Sequence, residues 1–295
     1  MIPCIETVMQ CEGRCLMSDP VVRSFEAAAD QYDQFAFIQA EIRARLIERL
    51  GYLSNIPEYV QDLGCGTGHL LQQLQLHWPS AQLIGLDAAY AMCQKAHTVG
   101  GPLLVCADAR SLPWQDRCID LTVSNCLMQW FWDDLPEVLQ EVFRTLKPGG
   151  GLFFTTLGPD TLQEVRAAWA EVDSFDHVNQ FLDMHHVGDI VRDVGFEDVV
   201  MDRWSVTLDM PSVDQVLKDV KGIGAGVVKG SNRPRGLMGP DRLKRFKSAY
   251  EAAFILPDGG VQVTYEVIFA QAWRPMKASN EVGLDAIDRP SRSSD

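Results

Sequence analysis

Apolar positions along the chain change their period twice. Phe25, Ala28, Ala29, Tyr32, Phe35, Ala36, Gln39, Ile42, Leu46 and Leu50 fall at helical spacing, predicting a helical segment that breaks near Asp33 and stops at Gly51. Short apolar runs follow at residues 60–63, 82–86, 103–106, 119–124 and 151–156. Separated by helical stretches such as Leu139, Val142, Phe143 and Leu146, they predict buried strands joined by helices. The period then drops to two. Residues 199–208 read as a sixth strand, and Val261, Val263, Tyr265, Val267, Phe269 and Trp273 share one face of a seventh. The expected fold is α/β, with a seven-stranded sheet, helices on both faces and an insertion ahead of the last strand.

Local punctuation sharpens this outline. Asp133 or Asp134 suits a helix cap with Pro136 in the first turn, and Lys147-Pro148-Gly149-Gly150 marks the end of that helix. Thr161 and Glu164 have the spacing of a capping box, and His185 and His186 open a helix running to Gly195. The expected organisation is an aperiodic extension over 1–17, a helical segment over 18–52, a core over 53–204, an insertion over 205–259, a last strand over 260–275 and a tail over 276–295. Both end segments are expected to be disordered.

The stretch most suited to chemistry is Val60-Gln61-Asp62-Leu63-Gly64-Cys65-Gly66-Thr67-Gly68, a strand entering a glycine turn ahead of a helix. Gly64 and Gly66 allow a tight turn and close approach of a ligand, Gly68 allows close helix–strand packing, and the helix start presents free N–H donors to an anion. The next two strands end near Asp87 and Asp108. The first is suited to ribose hydroxyls and the second to an adenine amino group. A dinucleotide dehydrogenase competes with this reading, but the turn is Gly-x-Gly-x-Gly and no second nucleotide half follows. At the end of the fourth strand, Asn125, Gln129 and Trp130 are placed to contact cofactor and substrate.

Residues 62–68 with Asp87, Asp108 and Leu146-Lys147-Pro148-Gly149-Gly150 resemble the class I S-adenosylmethionine-dependent methyltransferases. A narrower resemblance is carried by Phe25-Glu26-Ala27-Ala28-Ala29-Asp30-Gln31-Tyr32-Asp33, by Ser124-Asn125 with Gln129-Trp130, and by residues 154–158, 177–181 and 221–225. These are similar to the malonyl-acyl-carrier-protein O-methyltransferases of biotin synthesis, over residues from about 24 to 275.

The resemblance implies a Rossmann-like, mostly parallel sheet with an antiparallel last strand, and an N-terminal helical lid. It implies S-adenosylmethionine held by Asp62, Gly64, Cys65, Gly66, Gly68, Asp87, Asp108 and Asn125. Tyr32 and Arg166 are the expected catalytic residues, and Gln129, Trp130, His177, Asn179 and Tyr265 the expected substrate contacts. The implied reaction methylates the free carboxylate of a malonyl thioester, on acyl-carrier protein or coenzyme A, giving the ester that primes pimeloyl synthesis. A carboxylate with an ordinary pKa of about 4 is already ionised near neutrality, so no general base is needed. Three rival functions remain: methylation of another acceptor such as a quinone precursor, a non-methylating assembly factor for respiratory complex I, which resembles the same family, and a cofactor-binding protein without turnover.

Composition narrows the partners. The 295 residues carry a formal net charge of −14, which argues against nucleic-acid binding. Against that background Lys218, Lys221, Lys229, Arg233, Arg235, Arg242, Lys244, Arg245 and Lys247 form a basic stretch suited to an acidic carrier protein. No apolar run approaches a membrane span, so a cytoplasmic protein with no membrane partner is expected. The eight cysteines are scattered, Cys4, Cys11 and Cys15 match no zinc spacing, and His177, His185 and His186 lack a ligand set. No metal is expected.

Overall fold

The computed structural model describes residues 18–53, 55–98, 103–230, 232 and 239–276. The expected end segments, with Cys4, Cys11 and Cys15, and also Arg233 and Arg235, lie outside the described residues apart from Ser18 onward and Met276.

The sheet holds β1 (Tyr59–Leu63), β2 (Gln82–Asp87), β3 (Leu103–Cys106), β4 (Ile119–Ser124), β5 (Leu146–Leu157), β6 (Glu197–Met210) and β7 (Val261–Trp273). Their spatial order is β3-β2-β1-β4-β5-β7-β6. Strands β1 to β5 pair in parallel, and β7 runs antiparallel to both β5 and β6. The chain reverses its direction of travel across the sheet between β1 and β4, and the carboxyl ends of these strands form the crevice where ligands bind in such sheets.

Alternate side chains of each central strand enter opposite apolar clusters. Val60, Leu83 and Phe153 pack on one face with α3 (Phe37–Leu50) and α4 (His69–His77). Leu63, Ile84, Leu152 and Phe154 pack on the other with α6 (Leu135–Thr145) and α8 (Met184–Val194). This is the two-faced burial that apolar strand runs require.

The N-terminal helical segment forms three pieces: α1 (Pro20–Ala28), α2 (Tyr32–Phe35) and α3. Asp19 caps α1 by accepting the Val21 N–H at 2.7 Å, and Ile38, Ile42, Leu46 and Leu50 form the buried stripe of α3. Helix α5 (Tyr90–Thr98) links β2 to β3.

Beyond the central sheet, β6 and the first half of β7 continue as a two-stranded ribbon, from Thr207 opposite Thr264 to Met210 opposite Val261. Helices α7 (Gln163–Ala170), α9 (Val213–Gly222) and α10 (Pro240–Phe254) pack with it, burying Trp169, Val216, Phe246 and Tyr250. These side chains belong to the same apolar cluster as α3 and α4, so the insertion shares its core with the sheet.

Two local expectations are corrected. Lys147-Pro148-Gly149-Gly150 lies within β5, because α6 already ends at Thr145 and the pairing with β4 shifts register between Ile119 and Leu121. Thr161 and Glu164 form no capping box. Each is drawn across to β7 instead: Thr161 Oγ1 donates to Glu266 O at 3.0 Å, and Glu164 accepts the Thr264 N–H at 2.9 Å. Close helix packing is also admitted by Gly85, where a Cβ would come within 2.7 Å of Leu71 and Leu104, and Gly68 supplies the left-handed residue at the start of α4.

Candidate active site

The glycine turn is shaped from within β2. The Gly64 and Cys65 N–H groups both donate to Leu86 O, and Asp87 accepts the Gly66 N–H at 2.9 Å and the Ala89 N–H at 2.8 Å. Gly64 and Gly66 have φ of +76° and +51°. A Cβ on Gly64 would strike Leu127 at 2.9 Å, whereas one on Gly66 would meet nothing within 4 Å and project into open space. Gly64 is therefore small for packing, and Gly66 for access.

One cavity adjoins this turn, and a second adjoins the first. A small one, about 100 Å³, is bordered by Gly64, Gly66, Asp87, Asp108 and Asn125 from the sheet and by Val22 and Phe25 from α1. A larger one, about 710 Å³, extends between α3, α7, α9 and the loop around Val228. Phe25, Tyr32, Cys126 and Trp130 border both, so these four side chains form the wall between them. Phe25 meets Trp130 edge to face at 5.4 Å, locking the lid to the strand end.

Burial sets the protonation of this wall. The Tyr32 phenol is pushed well above its ordinary range, first by burial and then by the charges of Cys126, Asp87 and Asp33. Burial likewise pushes the Cys126 thiol up to about 12. Both groups are thus hydrogen donors rather than anions at neutral pH. Asp87 is pushed up to about 6, chiefly by burial, with the N–H groups of Ala89 and Gly66 opposing and Glu26 adding. Asp108 differs: burial raises it, but Arg110 bonds to both of its oxygens and holds the carboxyl below its usual range.

The lid is pinned to the core by polar bonds. Thr67 Oγ1 donates to Asp33 Oδ1 at 2.7 Å, His69 Nε2 lies 3.3 Å from the other Asp33 oxygen, and Asn125 Nδ2 donates to Gln39 O at 3.1 Å. Asn125 Oδ1 accepts from Thr155 at 3.0 Å, so this amide ties β4, β5 and α3 together while bordering the smaller cavity.

The expected substrate contacts Gln129, Trp130, His177, Asn179 and Tyr265 all border the larger cavity. Gln129 Nε2 donates to Cys126 O at 2.6 Å, and its buried Oε1 has no partner among the described residues. His177 stacks on Trp169 at 3.7 Å and lies 3.0 Å from Asp173. Both ends of the Asn179 amide are engaged by backbone, donating to Val227 O and accepting the Lys229 N–H, so it fixes the loop that encloses the cavity. Among the expected cofactor residues, Asp62 and Cys65 lie buried behind the turn, and Gly68 heads α4.

Arg166 does not join them. Helix α7 buries Val165, Ala168 and Trp169, and the helical period turns Arg166 outward, where it is exposed and donates to Pro159 O and Thr161 O. The expectation that it acts at the reacting centre is corrected. The basic stretch is also thinner than its composition suggests. Arg242 pairs with Asp173, Lys247 pairs with Asp214, Lys229 donates to Trp130 O and Arg245 to the carbonyls of Glu171 and Val172. Lys221 borders the larger cavity, and Lys244 is exposed on α10.

Sequence reasoning passed over Gln39, Arg43 and Cys126. The signal for the first was present: a glutamine within an apolar helical stripe is a buried polar group. Arg43 lies four residues further along α3. Cys126 takes a left-handed backbone with φ of 58°, which a strand-end reading does not reveal. Among the described residues no group of three or more His, Cys, Asp or Glu side chains is arranged to hold a metal ion, and no helix is long and apolar enough to cross a membrane.

Comparison with known proteins agrees with this architecture. The family described as "Methyltransferase domain" matches residues 61–154. The chain is 42% identical to the malonyl-[acyl-carrier protein] O-methyltransferase of Halorhodospira halophila over 275 residues, covering 90% of this chain and 92% of that protein. It is 35% identical to the Legionella pneumophila enzyme of the same name over 274 residues, covering 91% and 95%. Among solved structures, the YcgJ protein of Bacillus subtilis superposes with a TM-score of 0.57 at 17% identity, covering 80% of this chain and 99% of that one. Phosphoethanolamine N-methyltransferase 2 of Haemonchus contortus, solved in complex with S-adenosyl-L-methionine, gives 0.51 at 16% identity, covering 85% and 57%. These structural likenesses concern the fold, and the level of identity to full-length relatives decides the family: the chain belongs to the malonyl-[acyl-carrier protein] O-methyltransferases.

Proposed function

We propose that this protein transfers a methyl group from S-adenosylmethionine to the free carboxylate of a malonyl group carried on acyl-carrier protein. The reading is carried by the pair of adjoining cavities that share the wall of Phe25, Tyr32, Cys126 and Trp130. One is bordered by the glycine turn, Asp87 and Asp108; the other has room for an acyl chain.

The residues fit the cofactor on three observations. Gly66 leaves open the space that a Cβ would fill, Asp87 presents a half-buried carboxylate beside it, and both Asp62 oxygens are buried without a partner among the described residues. Asp87 would accept ribose hydroxyls, Asp108 an adenine amino group, and Asp62 an ammonium. When bound, the cofactor supplies an electrophilic methyl group on a sulfonium.

The remaining steps belong to the protein and the acceptor. Tyr32, kept protonated by burial, donates a hydrogen bond to the malonyl carboxylate and orients it for in-line approach. One carboxylate oxygen takes the methyl carbon as the carbon–sulfur bond breaks, its electron pair remaining on sulfur. No proton moves. Cys126, held as a thiol, does not compete as a nucleophile. Phe25 and Trp130 exclude water, and a dry site favours a step in which opposite charges neutralise.

Lys221 at the rim favours docking of an acidic carrier there, and the insertion with its neighbouring helices serves as the recognition element. The lid over residues 18–52 covers the cofactor. With malonyl-carrier protein as the substrate, the cytoplasm is the site of the reaction.

The test is mass spectrometry of malonyl-, acetyl- and succinyl-carrier protein after incubation with enzyme and S-adenosylmethionine. Gain of one methyl on the malonyl form alone is expected. Absence of transfer to any of the three, with cofactor binding intact, overturns the reading.

A further inference from the structure

The larger cavity is bordered by a histidine whose two ring nitrogens are unequally engaged. The His177 side chain is 6% exposed, and its Nε2 lies 3.0 Å from Asp173 Oδ1. The other nitrogen, Nδ1, has no hydrogen-bond partner among the described residues. The ring lies flat on Trp169 of α7, 3.7 Å away with planes 5° apart, and Trp169 stacks in turn on Phe246 of α10 at 4.3 Å. The stack and the carboxylate leave His177 little freedom to turn.

Asp173 decides which nitrogen carries the proton. Besides His177 it accepts the Phe175 N–H at 2.9 Å and bonds to the Arg242 guanidinium. Burial raises its carboxyl, but Arg242, the Phe175 N–H and His177 together bring it down to about 2, so it is ionised and can only accept. Nε2 of the neutral ring therefore donates, and Nδ1 is left as an acceptor. Neighbouring polar groups of the lining do not answer it: Asn179 is engaged by Val227 O and the Lys229 N–H, and Thr161 by the backbone of Glu266.

An acceptor in this cavity has no counterpart on the malonyl group, whose carboxylate and thioester carbonyl are acceptors themselves. The first donor along the substrate is the amide N–H two methylenes beyond the thioester sulfur, in the pantetheine arm that acyl-carrier protein and coenzyme A share. We infer that His177 Nδ1 accepts this amide N–H, making His177 a specificity residue for the arm and Asp173 the positioning residue that keeps Nδ1 unprotonated. This role rests on the thioester acceptor proposed above and extends recognition to the part of the substrate behind the acyl group. Arm recognition is thereby tied to α10, since Arg242 holds Asp173 from that helix.

The test is methylation of two small acceptors that differ by one group: the malonyl thioester of N-acetylcysteamine, which has the amide N–H, and that of 2-acetoxyethanethiol, which has an ester oxygen in its place. The wild-type protein is expected to favour the amide by about 5- to 10-fold in kcat/KM, the worth of one buried hydrogen bond. In His177→Phe, which keeps a ring in the stack, the preference falls below about twofold. His177→Asn, whose Oδ1 stands near the place of Nδ1, recovers part of it. Asp173→Asn narrows the preference as well, whereas damage to the fold alone would lower both rates together. Malonyl-carrier protein and malonyl-coenzyme A should lose the same factor in His177→Phe, because the arm is common to both; a loss confined to the carrier protein assigns the residue to docking and overturns the inference. So does an amide preference that is absent from wild type or unchanged in His177→Phe. If the wild-type protein methylates no malonyl thioester at all, the acceptor reading falls and this role with it; with wild-type turnover intact, an unchanged preference sinks this role alone.

Discussion

Asp87 is expected to make cofactor affinity depend on pH, in a direction its burial determines. Its carboxyl titrates at about 6 in the cofactor-free protein rather than at the ordinary 3.8, because burial outweighs the N–H groups of Gly66 and Ala89. A raised carboxyl favours the protonated form of the fold, so its contribution to cofactor-free stability is present at low pH and lost as pH rises through about 6. Binding runs the other way, since ribose hydroxyls donate to the ionised form. If only that form binds, affinity falls by the factor 1 + 10^(pKa − pH): about 1.1 at pH 7 and about 11 at pH 5, a loss of about tenfold. Calorimetric titration of S-adenosylhomocysteine between these limits measures it. Asp87→Asn should bind about 10- to 100-fold more weakly at pH 7, having lost a charge-assisted acceptor, and should lose most of the pH dependence. Asp62 is also raised by burial and by the charge of Asp87, so the difference between wild type and Asp87→Asn reports Asp87 together with its effect on Asp62. A wild-type affinity unchanged from pH 7 to pH 5, or an Asn variant with the same profile, refutes the reasoning.

Two glycines of one turn should fail differently. Gly64→Ala, which meets Leu127 at 2.9 Å, lowers the thermal midpoint, whereas Gly66→Ala, with free space at its Cβ, leaves stability within about 1–2 kcal/mol and reduces S-adenosylhomocysteine binding; both are read by melting and titration in parallel. Glu164→Ala strands the buried Thr264 N–H and is expected to cost about 2–3 kcal/mol in denaturant unfolding, while Glu171→Ala on the exposed end of α7 costs less than about 0.5 kcal/mol. Arg166→Ala should change turnover of malonyl-carrier protein less than about twofold, because its side chain borders neither cavity; a tenfold loss in kcat would return it to the site.

The sequence by itself determined the layered fold and the cofactor half of the site. Apolar runs fix which segments lie between two layers of helix, and one glycine turn followed by Asp87 and Asp108 is local chemistry, legible because each group sits at the end of its own strand. Strand limits were less legible. The Lys147–Gly150 stretch looks like a helix stop, and it is the pairing of its flanks, Leu146 with Ile119 and Gly151 with Leu121, that draws it into β5. Tertiary structure decided the acceptor half, which is assembled from α3, α7, α9 and the 176–181 and 225–228 loops, segments far apart in the chain. Helix rotation removed Arg166, although its residue type suits a carboxylate. Long-range packing turned Thr161 and Glu164 from a cap into a clasp on β7. It also left both Asp62 oxygens buried without a partner among the described residues, a consequence of how several elements meet that no spacing along one chain encodes. Local patterns record how each segment buries its own face; which charges are left unpaired is decided only when those faces meet.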